Sequence, residues 1–469
     1  MRTRATLATL AAAAFLLSGS LLSGCSDASL LGSEDKVVED GSTSKMRQAH
    51  LFKFLSRAKV LERYDELAVS NDFVLGMTKV LERYRVLERY EGMDGVTIKH
   101  DYTRSFDGFS AHVEGDVPAF LDFVETDPDI EWIEPDIRIG HRDADPLLKK
   151  GKPNQQLPWG VWYVGGGWSW TVSGDGTGEV DADIYILDTG VAHRDMNLVE
   201  TIDFTGEGTQ SRDPVGHGTH VAATAAAADN DFGVVGVAPG ARIHNLRVLD
   251  ASGEAELSTA IAAMEYLTDL KANNPAMPMI ANISFGADIG TTVYNALDQA
   301  VASAIAQGVV VVVAAGNDAI DASTVTPAHV AEAITVGAFE SSPGSFAWFS
   351  NFGSVVDILA PGVDIMSAST ESGKSAPPAY MSGTSTAAPH VSGAAALLLA
   401  QDPTMTPAQV RDAIVAKAEA RNLTIYGAPA STTNLSLWVA EDSWNNGGGG
   451  GDDTTTDTKP SKGKGGRSK

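Results

Sequence analysis

Six short apolar runs separated by helical stretches set the fold expected for residues 158–440. The runs are ADIYILD, ARIHNLRVLD, MIANISFG, GVVVVVAAGN, AITVGA and VDILAPG. Several are nearly unbroken series of Val, Ile and Ala, which is typical of strands buried on both faces. The pattern predicts an α/β fold in which a mainly parallel sheet is flanked by helices. The segment is long enough to build a large hydrophobic core.

A smaller domain is expected upstream, over residues 46–140. The segment VTIKHDYTRSFDGFSAHV alternates around a DG turn, which predicts a hairpin. VPAFLDFVETDP has helical spacing, and IEWIEPDIRI has the pattern of a strand. The charged stretch before them contains three copies of VLERY and is interpreted as amphipathic helix. Together these elements predict an α+β unit.

The remaining segments are interpreted as an export signal, a linker, a connector and a tail. Residues 1–24 begin with two arginines and continue into an apolar stretch, as in a signal peptide. A membrane-spanning helix is the alternative, although the stretch barely reaches the roughly 20 apolar residues that a span needs. Residues 25–45 are a polar linker, and residues 141–154 are a polar connector. The Gly, Thr and Lys composition of residues 441–469 predicts a disordered tail.

Charge and cysteine content exclude two classes of function. The chain has 60 acidic and 34 basic residues, for a formal net charge of -26. Such a surface argues against nucleic acid as a partner, because phosphate binding needs a basic surface. Cys25 is the only cysteine, so no intramolecular disulfide can form.

Four polar residues of the α/β region are candidates for chemistry, although each also has a structural interpretation. Asp188 follows a strand, where aspartates are common, and His217 precedes an alanine-rich helix, next to a Gly that suggests close approach to the backbone. Asn317 ends a strand and fits turn chemistry. Ser385 begins an apolar helix and fits an N-cap. Together they supply a nucleophile, a base, an anion to orient the base and an oxyanion donor, which is the set that acyl transfer requires.

The segments that carry these residues resemble the subtilisin-like serine proteases, or subtilases. They are YILDTGV, GHGTHVA, AAGND and GTSTAAPHVSG, in the family's order, and the likeness covers residues 155–440. AAGNDAIDASTVTPA is closer to the proteinase K branch. The resemblance implies a serine endopeptidase of broad specificity. Ser385 would be the nucleophile, His217 the general base and Asp188 its partner, with Asn317 in the oxyanion hole.

Two further segments resemble the strands that bind substrate in this family. They comprise Gly253, Glu254 and Ala255 on one side, and Ser284, Phe285 and Gly286 on the other. The resemblance implies that a polypeptide substrate lies between them in extended form, held by its main chain. We expect a monomer.

No cofactor is expected for catalysis, but a structural calcium ion is implied by the loop ADNDFGVVGVAPGA. The matching ligands are three side chains and three backbone carbonyls, namely Gln155, Asn197 and Asn230, and Ala228, Phe232 and Val234. Asn197 stands where the family usually has an aspartate, and losing a carboxylate weakens an oxygen cage for a hard cation.

The resemblance extends to the domain before the enzyme. YTRSFDGFSAHV and IEWIEPD are similar to the family's propeptide, which assists folding and inhibits the active site. Self-cleavage is therefore expected between about residues 140 and 155. The sequence LSGC, which ends at Cys25, resembles the lipobox of bacterial lipoproteins, although an incidental cysteine in an ordinary signal is the alternative. The expectation is an exported protein with a lipid-anchored precursor and a released enzyme.

Two other functions stay open at this stage. The first is a catalytically silent subtilase fold that acts as a binding module, and the second is a narrow processing enzyme with one partner protein. The presence of all four chemical groups argues against the first, because silent relatives usually lose at least one of them.

Overall fold

The computed structural model describes residues 55–56, 71–78, 83–140, 155–208, 213–341, 344–371, 376–421 and 423–441. The chain divides into two compact units, residues 1–45 and residues 46–469, and all of the described residues belong to the second. The predicted signal peptide, Cys25, the linker, the connector and the tail beyond residue 441 therefore lie outside the described residues. The first VLERY copy and residues 80–82 of the second copy lie outside them as well.

The N-terminal domain is an α+β unit, as predicted. Its five strands form an antiparallel sheet in the order β1-β5-β2-β4-β3. The elements are β1 (Leu55–Ser56), β2 (Asp72–Met77), α1 (Arg83–Glu91), β3 (Val96–Tyr102), β4 (Gly108–Val113), α2 (Val117–Thr126) and β5 (Ile130–Pro135). The predicted hairpin is β3–β4, and the third VLERY copy lies in α1. Strand β2 corrects the interpretation of residues 46–92 as helix, because its residues 73–77 are buried in the centre of the sheet.

The larger domain contains the predicted parallel sheet. Seven parallel strands lie in the order β16-β15-β13-β11-β7-β9-β8. Their bounds are β7 (Asp183–Asp188), β8 (Asn197–Asp203), β9 (Arg242–Arg247), β11 (Met279–Ile283), β13 (Val310–Ala314), β15 (Ile334–Phe339) and β16 (Ile358–Pro361). Short strands complete the domain: β10 (Glu254–Glu256), β12 (Ala287–Asp288), β14 (Val325–Thr326), β17 (Ile365–Ser367) and β18 (Ala379–Met381). The last strand of the N-terminal domain, β6 (Arg138–Gly140), pairs with β10.

Helices cover both faces of the parallel sheet. They are α3 (Trp159–Tyr163), α4 (His217–Ala226), α5 (Leu257–Asn273), α6 (Ala296–Gln307), α7 (Thr384–Gln401) and α8 (Pro407–Arg421). Alternate strand residues serve the two faces. Ile184 and Ile186 pack into a cluster with α4, α7 and α8, whereas Tyr185 and Leu187 pack into a cluster with α5 and α6. This burial on both faces explains why the strand sequences are nearly continuous runs of apolar residues.

No helix among the described residues combines the length and the apolar character that crossing a membrane requires.

Candidate active site

The four candidate residues lie at the ends of elements of the parallel sheet. Asp188 is the last residue of β7, and Asn317 follows β13 within three residues. His217 is the first residue of α4, and Ser385 is the second residue of α7. Helices α4 and α7 pack against each other. Parallel strands end at a common edge, which is where open α/β sheets place their sites.

Asp188 and His217 form a buried pair. The Asp188 Oδ1 lies 2.7 Å from the His217 Nδ1, and it also accepts a hydrogen bond of 2.7 Å from the backbone N–H of Thr189. The two side chains are 0% and 1% exposed. A carboxylate can only accept, so Nδ1 carries the proton and Nε2 presents its lone pair. This tautomer is the one that a general base requires.

Gly218 allows α4 to approach the end of β7. A Cβ atom at this position would lie 2.2 Å from the carbonyl oxygen of Gly190 and 3.0 Å from the Cβ of Asp188. The close approach predicted from this glycine is confirmed, and it determines how near His217 can come to Asp188.

Asp213 connects the two elements that hold this pair. Its carboxylate accepts hydrogen bonds from the Thr189 hydroxyl at 2.7 Å and from the backbone N–H groups of Gly216 and Thr219 at 2.7 and 2.8 Å. Gly216, the N-cap of α4, has no side chain to cap the helix, and Asp213 takes over this function. In the sequence this residue fits a turn, so its positioning role was not predicted.

Ser385 is anchored through its backbone from the neighbouring strand β11. The Ser284 hydroxyl donates a hydrogen bond of 2.8 Å to the Ser385 carbonyl, and the Asn282 amide donates one of 2.8 Å to the Ser284 hydroxyl. The Ser392 hydroxyl in turn donates to Asn282. The chain of bonds fixes the start of α7 against the sheet. It was not predicted from the sequence, because it links residues about 100 positions apart.

Asn317 is oriented by Thr384, the residue before Ser385. Its Oδ1 accepts hydrogen bonds from the Thr384 backbone N–H at 2.8 Å and from the Thr384 hydroxyl at 2.9 Å. The Thr384 hydroxyl also accepts from the backbone N–H of Gly316. With the oxygen engaged in this way, Nδ2 is the end of the amide that can donate to a developing negative charge.

The two segments expected to bind substrate flank a strand of the chain itself. Strand β6 pairs antiparallel with β10, so that Glu254 faces Gly140 and Ala255 faces Ile139. On the other side, the backbone N–H of Gly286 donates to the carbonyl of Gly140 at 3.4 Å in an antiparallel bridge. The cleft therefore holds an extended polypeptide between its two edges.

Two buried carboxyl groups of the N-terminal domain cap helices of the larger domain. Glu134 accepts from the N–H of Ala296, the first residue of α6, at 3.1 Å. Asp136 accepts from the N–H of Ser258, in the first turn of α5, at 2.8 Å. Burial raises the pKa of Glu134 to about 8 and that of Asp136 to about 7, although these hydrogen bonds oppose the increase.

The candidate calcium ligands gather around Asp195, which the sequence interpretation missed. Its carboxylate accepts from the Asn230 amide at 2.7 Å and from the Val234 N–H at 2.9 Å. The Gln155 amide donates to the Ala228 carbonyl at 2.8 Å.

Asn197 and Phe232, two other predicted calcium ligands, make hydrogen bonds that do not involve the Asp195 carboxylate. Asn197 is exposed at the start of β8, where its side-chain N–H donates to the Gly240 carbonyl, and its role as a calcium ligand stays a prediction. Phe232 lies in the loop, where its N–H donates to the Asn230 side chain. Within the described ranges, no cluster has three or more His, Cys, Asp or Glu placed for a metal.

The chain is similar to known proteins over much of its length. Residues 181–451 match the profile described as the Subtilase family. The chain is 35% identical over 335 residues to the "Extracellular serine proteinase" of Thermus sp. (strain Rt41A), covering 69% of this chain and 74% of that protein. It is 36% identical over 263 residues to "Subtilisin DY" of Bacillus licheniformis, covering 55% of this chain and 90% of that protein.

A solved structure, described as that of a cold adapted subtilisin-like serine proteinase, is also similar. It has 36% sequence identity and a TM-score of 0.48, and the match covers 56% of this chain and 89% of that chain.

Proposed function

Since this chain belongs to the subtilase family of serine endopeptidases, we propose that it cleaves polypeptides through an acyl-enzyme on Ser385 and that its N-terminal domain is an inhibitory propeptide. The observation that carries the proposal is the strand β6, which lies as an extended peptide between the two edges of the cleft. The paired Asp188 and His217 supply the base at the same edge of the sheet.

The proposed reaction begins with attack of the Ser385 Oγ on the substrate carbonyl. His217 Nε2 removes the hydroxyl proton as the Oγ–C bond forms, and Asp188 stabilises the resulting imidazolium through Nδ1. The C–N bond then breaks, and His217 transfers its proton to the leaving amine. Water attacks the acyl-enzyme in the same way, with His217 again as the base, and releases Ser385.

Asn317 is proposed to stabilise the oxyanion of both tetrahedral intermediates. Its amide oxygen is engaged by Thr384, which supports the assignment of Nδ2 as the donor. The Ser385 backbone N–H is the proposed second donor, at the start of α7, where the helix dipole also favours negative charge.

The register of β6 supports a specific site of self-cleavage. Gly140 is bridged to Gly286. If a bound peptide continued this antiparallel register, its second residue after the one opposite Gly286 would face Ser284. Ser284 donates to Ser385. A peptide bound in this register would present that residue's carbonyl to the nucleophile, so we expect the first cleavage between Arg142 and Asp143.

The test compares the full chain with its Ser385→Ala variant after expression. We expect self-cleavage at residues 142–143 and casein hydrolysis only where Ser385 is intact, with mass spectrometry locating the new termini. A Ser431→Ala variant, which changes an exposed serine in a turn after α8, is the matched control and should still process. Equal processing of the native chain and of the Ser385→Ala variant would contradict the mechanism.

A structural calcium ion is proposed at the Asp195 cluster, where the donor set suits a hard cation. Asp195, the side-chain oxygens of Gln155 and Asn230 and the carbonyls of Ala228 and Val234 would hold it, once the two amides turn their oxygens inward. Burial raises the pKa of Asp195 to about 6, as expected for a carboxylate that lacks a compensating charge. The ion would stabilise this loop and takes no part in the reaction.

Export and lipid attachment are proposed from the sequence alone. The relatives include a protein named as extracellular, which supports export of this chain. Cys25 would carry the lipid of the precursor, and self-cleavage would leave it on the propeptide and release a monomeric enzyme. A mature enzyme recovered in the membrane fraction and still covalently joined to Cys25 would contradict this.

A further inference from the structure

The strand in the cleft makes a side-chain contact that backbone recognition does not explain. Arg138 of β6 donates to the Asp250 carboxylate through Nη2 at 2.6 Å and to the Glu254 carboxylate through Nε at 3.1 Å. The two acids belong to the larger domain, at positions 112 and 116 residues further along the chain. One guanidinium is thus held by two carboxylates on the rim of the cleft.

Asp250 is oriented for this contact by its own loop. Its Oδ1 accepts from the Ser252 N–H at 2.8 Å, from the Ser252 hydroxyl at 2.5 Å and from the Glu254 N–H at 3.2 Å, so Oδ2 is the atom turned towards the guanidinium. Burial alone would raise the pKa of Asp250, but the bonds from Ser252 and Arg138 outweigh it and lower the pKa to about 2. The three bonds from the loop do not involve Arg138, so we expect them to hold the carboxylate in place before a substrate arrives.

The pairing register gives this contact a position along the peptide. Ile139 faces Ala255 and is buried in the apolar cluster that includes Leu257 and Phe285, whereas Arg138 faces Glu256 on the other side of the strand. Alternation of side chains is a property of an extended peptide in general. Any substrate bound as β6 is bound would therefore place its residue five positions before the cleaved bond beside Asp250 and Glu254.

We propose that Asp250 and Glu254 form a binding subsite for an arginine of polypeptide substrates, five residues before the cleaved bond. The inference rests on the proposed function, since it treats β6 as a substrate of the same cleft. The subsite selects among polypeptides by charge at a position far from the reacting atoms. It would give this enzyme a preference for basic segments in addition to the apolar residue that follows them.

The expected size of the preference is modest. Arg138 and Glu254 are each about half exposed, and Asp250 is 26% exposed, so solvent weakens the attraction. Exposed ion pairs contribute little individually, but two carboxylates on one guanidinium with one of them fixed contribute more. We expect an arginine to raise kcat/KM about five- to tenfold over glutamine, mainly through KM, and the effect to shrink with added salt.

The experiment uses two peptides and the mature enzyme obtained from the full chain. The first peptide has the sequence of residues 136–145, DIRIGHRDAD, and the second has Gln in place of its arginine at the third position. The native enzyme should cleave both after the seventh residue and should prefer the first. The double variant Asp250→Asn/Glu254→Gln should cleave both peptides with the kcat/KM that the native enzyme has for the glutamine peptide. Asn and Gln keep side-chain oxygens that accept the hydrogen bonds of the loop, so the variant removes only the negative charge.

A matched control removes two exposed charges elsewhere. The Glu332→Gln/Asp412→Asn variant changes the turn before β15 and the outer face of α8, and it should keep the preference. The subsite would be overturned if the native enzyme cleaved the two peptides with equal kcat/KM. It would also be overturned if the Asp250→Asn/Glu254→Gln variant lost kcat/KM by the same factor on both peptides. Cleavage of neither peptide by an enzyme that does process casein would overturn the register, whereas failure on casein as well would overturn the proposed function itself.

Discussion

The centre of the catalytic domain and its interface with the N-terminal domain both contain buried carboxyl groups, but they are held in different ways. At the centre, Asp188 accepts from a histidine and a backbone N–H, both within the same domain. At the interface, Glu134 and Asp136 accept from helix N–H groups of the other domain, and burial raises the pKa of each. We therefore expect the interface, but not the centre, to weaken when its carboxyl groups ionise.

Removal of the proposed oxyanion donor should have the largest effect on kcat among these changes. It should leave the interface between the two domains intact. An Asn317→Ala variant should lose about 10²–10³ in kcat with little change in KM, because the amide is used only when negative charge develops. Steady-state kinetics on a peptide substrate measure this. Affinity for the separately added N-terminal domain, residues 46–140, should be unchanged, and a parallel loss of that affinity would show that the two regions are not independent.

Acid should weaken the catalytic domain itself. Burial in α7 lowers the pKa of His390 from 6.5 to about 4. Between these pH values the unfolded chain binds a proton at this histidine and the folded chain does not. The contribution of His390 to the free energy of unfolding should fall by about 3 kcal/mol between pH 6.5 and pH 4, and Asp195, whose raised pKa acts in the opposite direction, should offset part of this fall. Denaturant melts of the mature enzyme at several pH values measure this slope. A His390→Gln variant should reduce the slope even if its stability at pH 8 is lower, and an unchanged slope would contradict the assignment.

The affinity between the two domains should fall as the pH rises, whereas the contribution of His390 to the stability of the catalytic domain should increase. Glu134 and Asp136 have raised pKa values, so the complex binds protons that the separated domains release. Their contribution is present below pH 4 and is lost as the pH rises through about 7 and 8. We expect the Kd of the N-terminal domain for the Ser385→Ala enzyme to increase at least about tenfold between pH 5 and pH 9. The Glu134→Gln/Asp136→Asn variant should show a flatter curve, and a Kd that falls with pH would reverse the comparison.

Chelation of calcium should have the smallest of these effects. It should lower the stability of the larger domain. If the Asp195 cluster holds calcium, EGTA should lower the Tm of the mature enzyme by several degrees, since a ligand that binds only the folded state stabilises it. The Asp195→Asn variant should have a lowered Tm that EGTA does not change further. A native Tm that does not depend on calcium over a wide concentration range would contradict the site.

The sequence predicted the arrangement of the centre better than that of the interface, for a physical reason. Asp188, His217, Asn317 and Ser385 lie at element ends, and parallel strands bring such ends to one edge whatever the loops do. The close approach at Gly218 could be predicted because a backbone contact this short leaves no room for a Cβ atom and therefore requires glycine. The local pattern therefore contained most of what places these residues.

The features missed by the sequence interpretation depend on long-range contacts or small shifts of register. Strand β2 was interpreted as helix because charged residues surround its short apolar run. Asp195 was missed because a loop fixes no periodicity, and its contacts with Asn230 and Val234 join residues 35 and 39 positions apart. Pairing of β6 with β10 joins residues more than 110 positions apart, and no local pattern encodes such a contact.

If β6 blocks the cleft as proposed, its position would make activation a matter of dilution. While the two domains are one chain, the strand is present at an effective concentration set by the length of the segment that joins them, and short linkers give values in the millimolar range. After cleavage, its concentration is that of the free domain in the surrounding volume. The same contacts would thus inhibit an enzyme confined near the cell and release one that has diffused away, with no change in any individual bond.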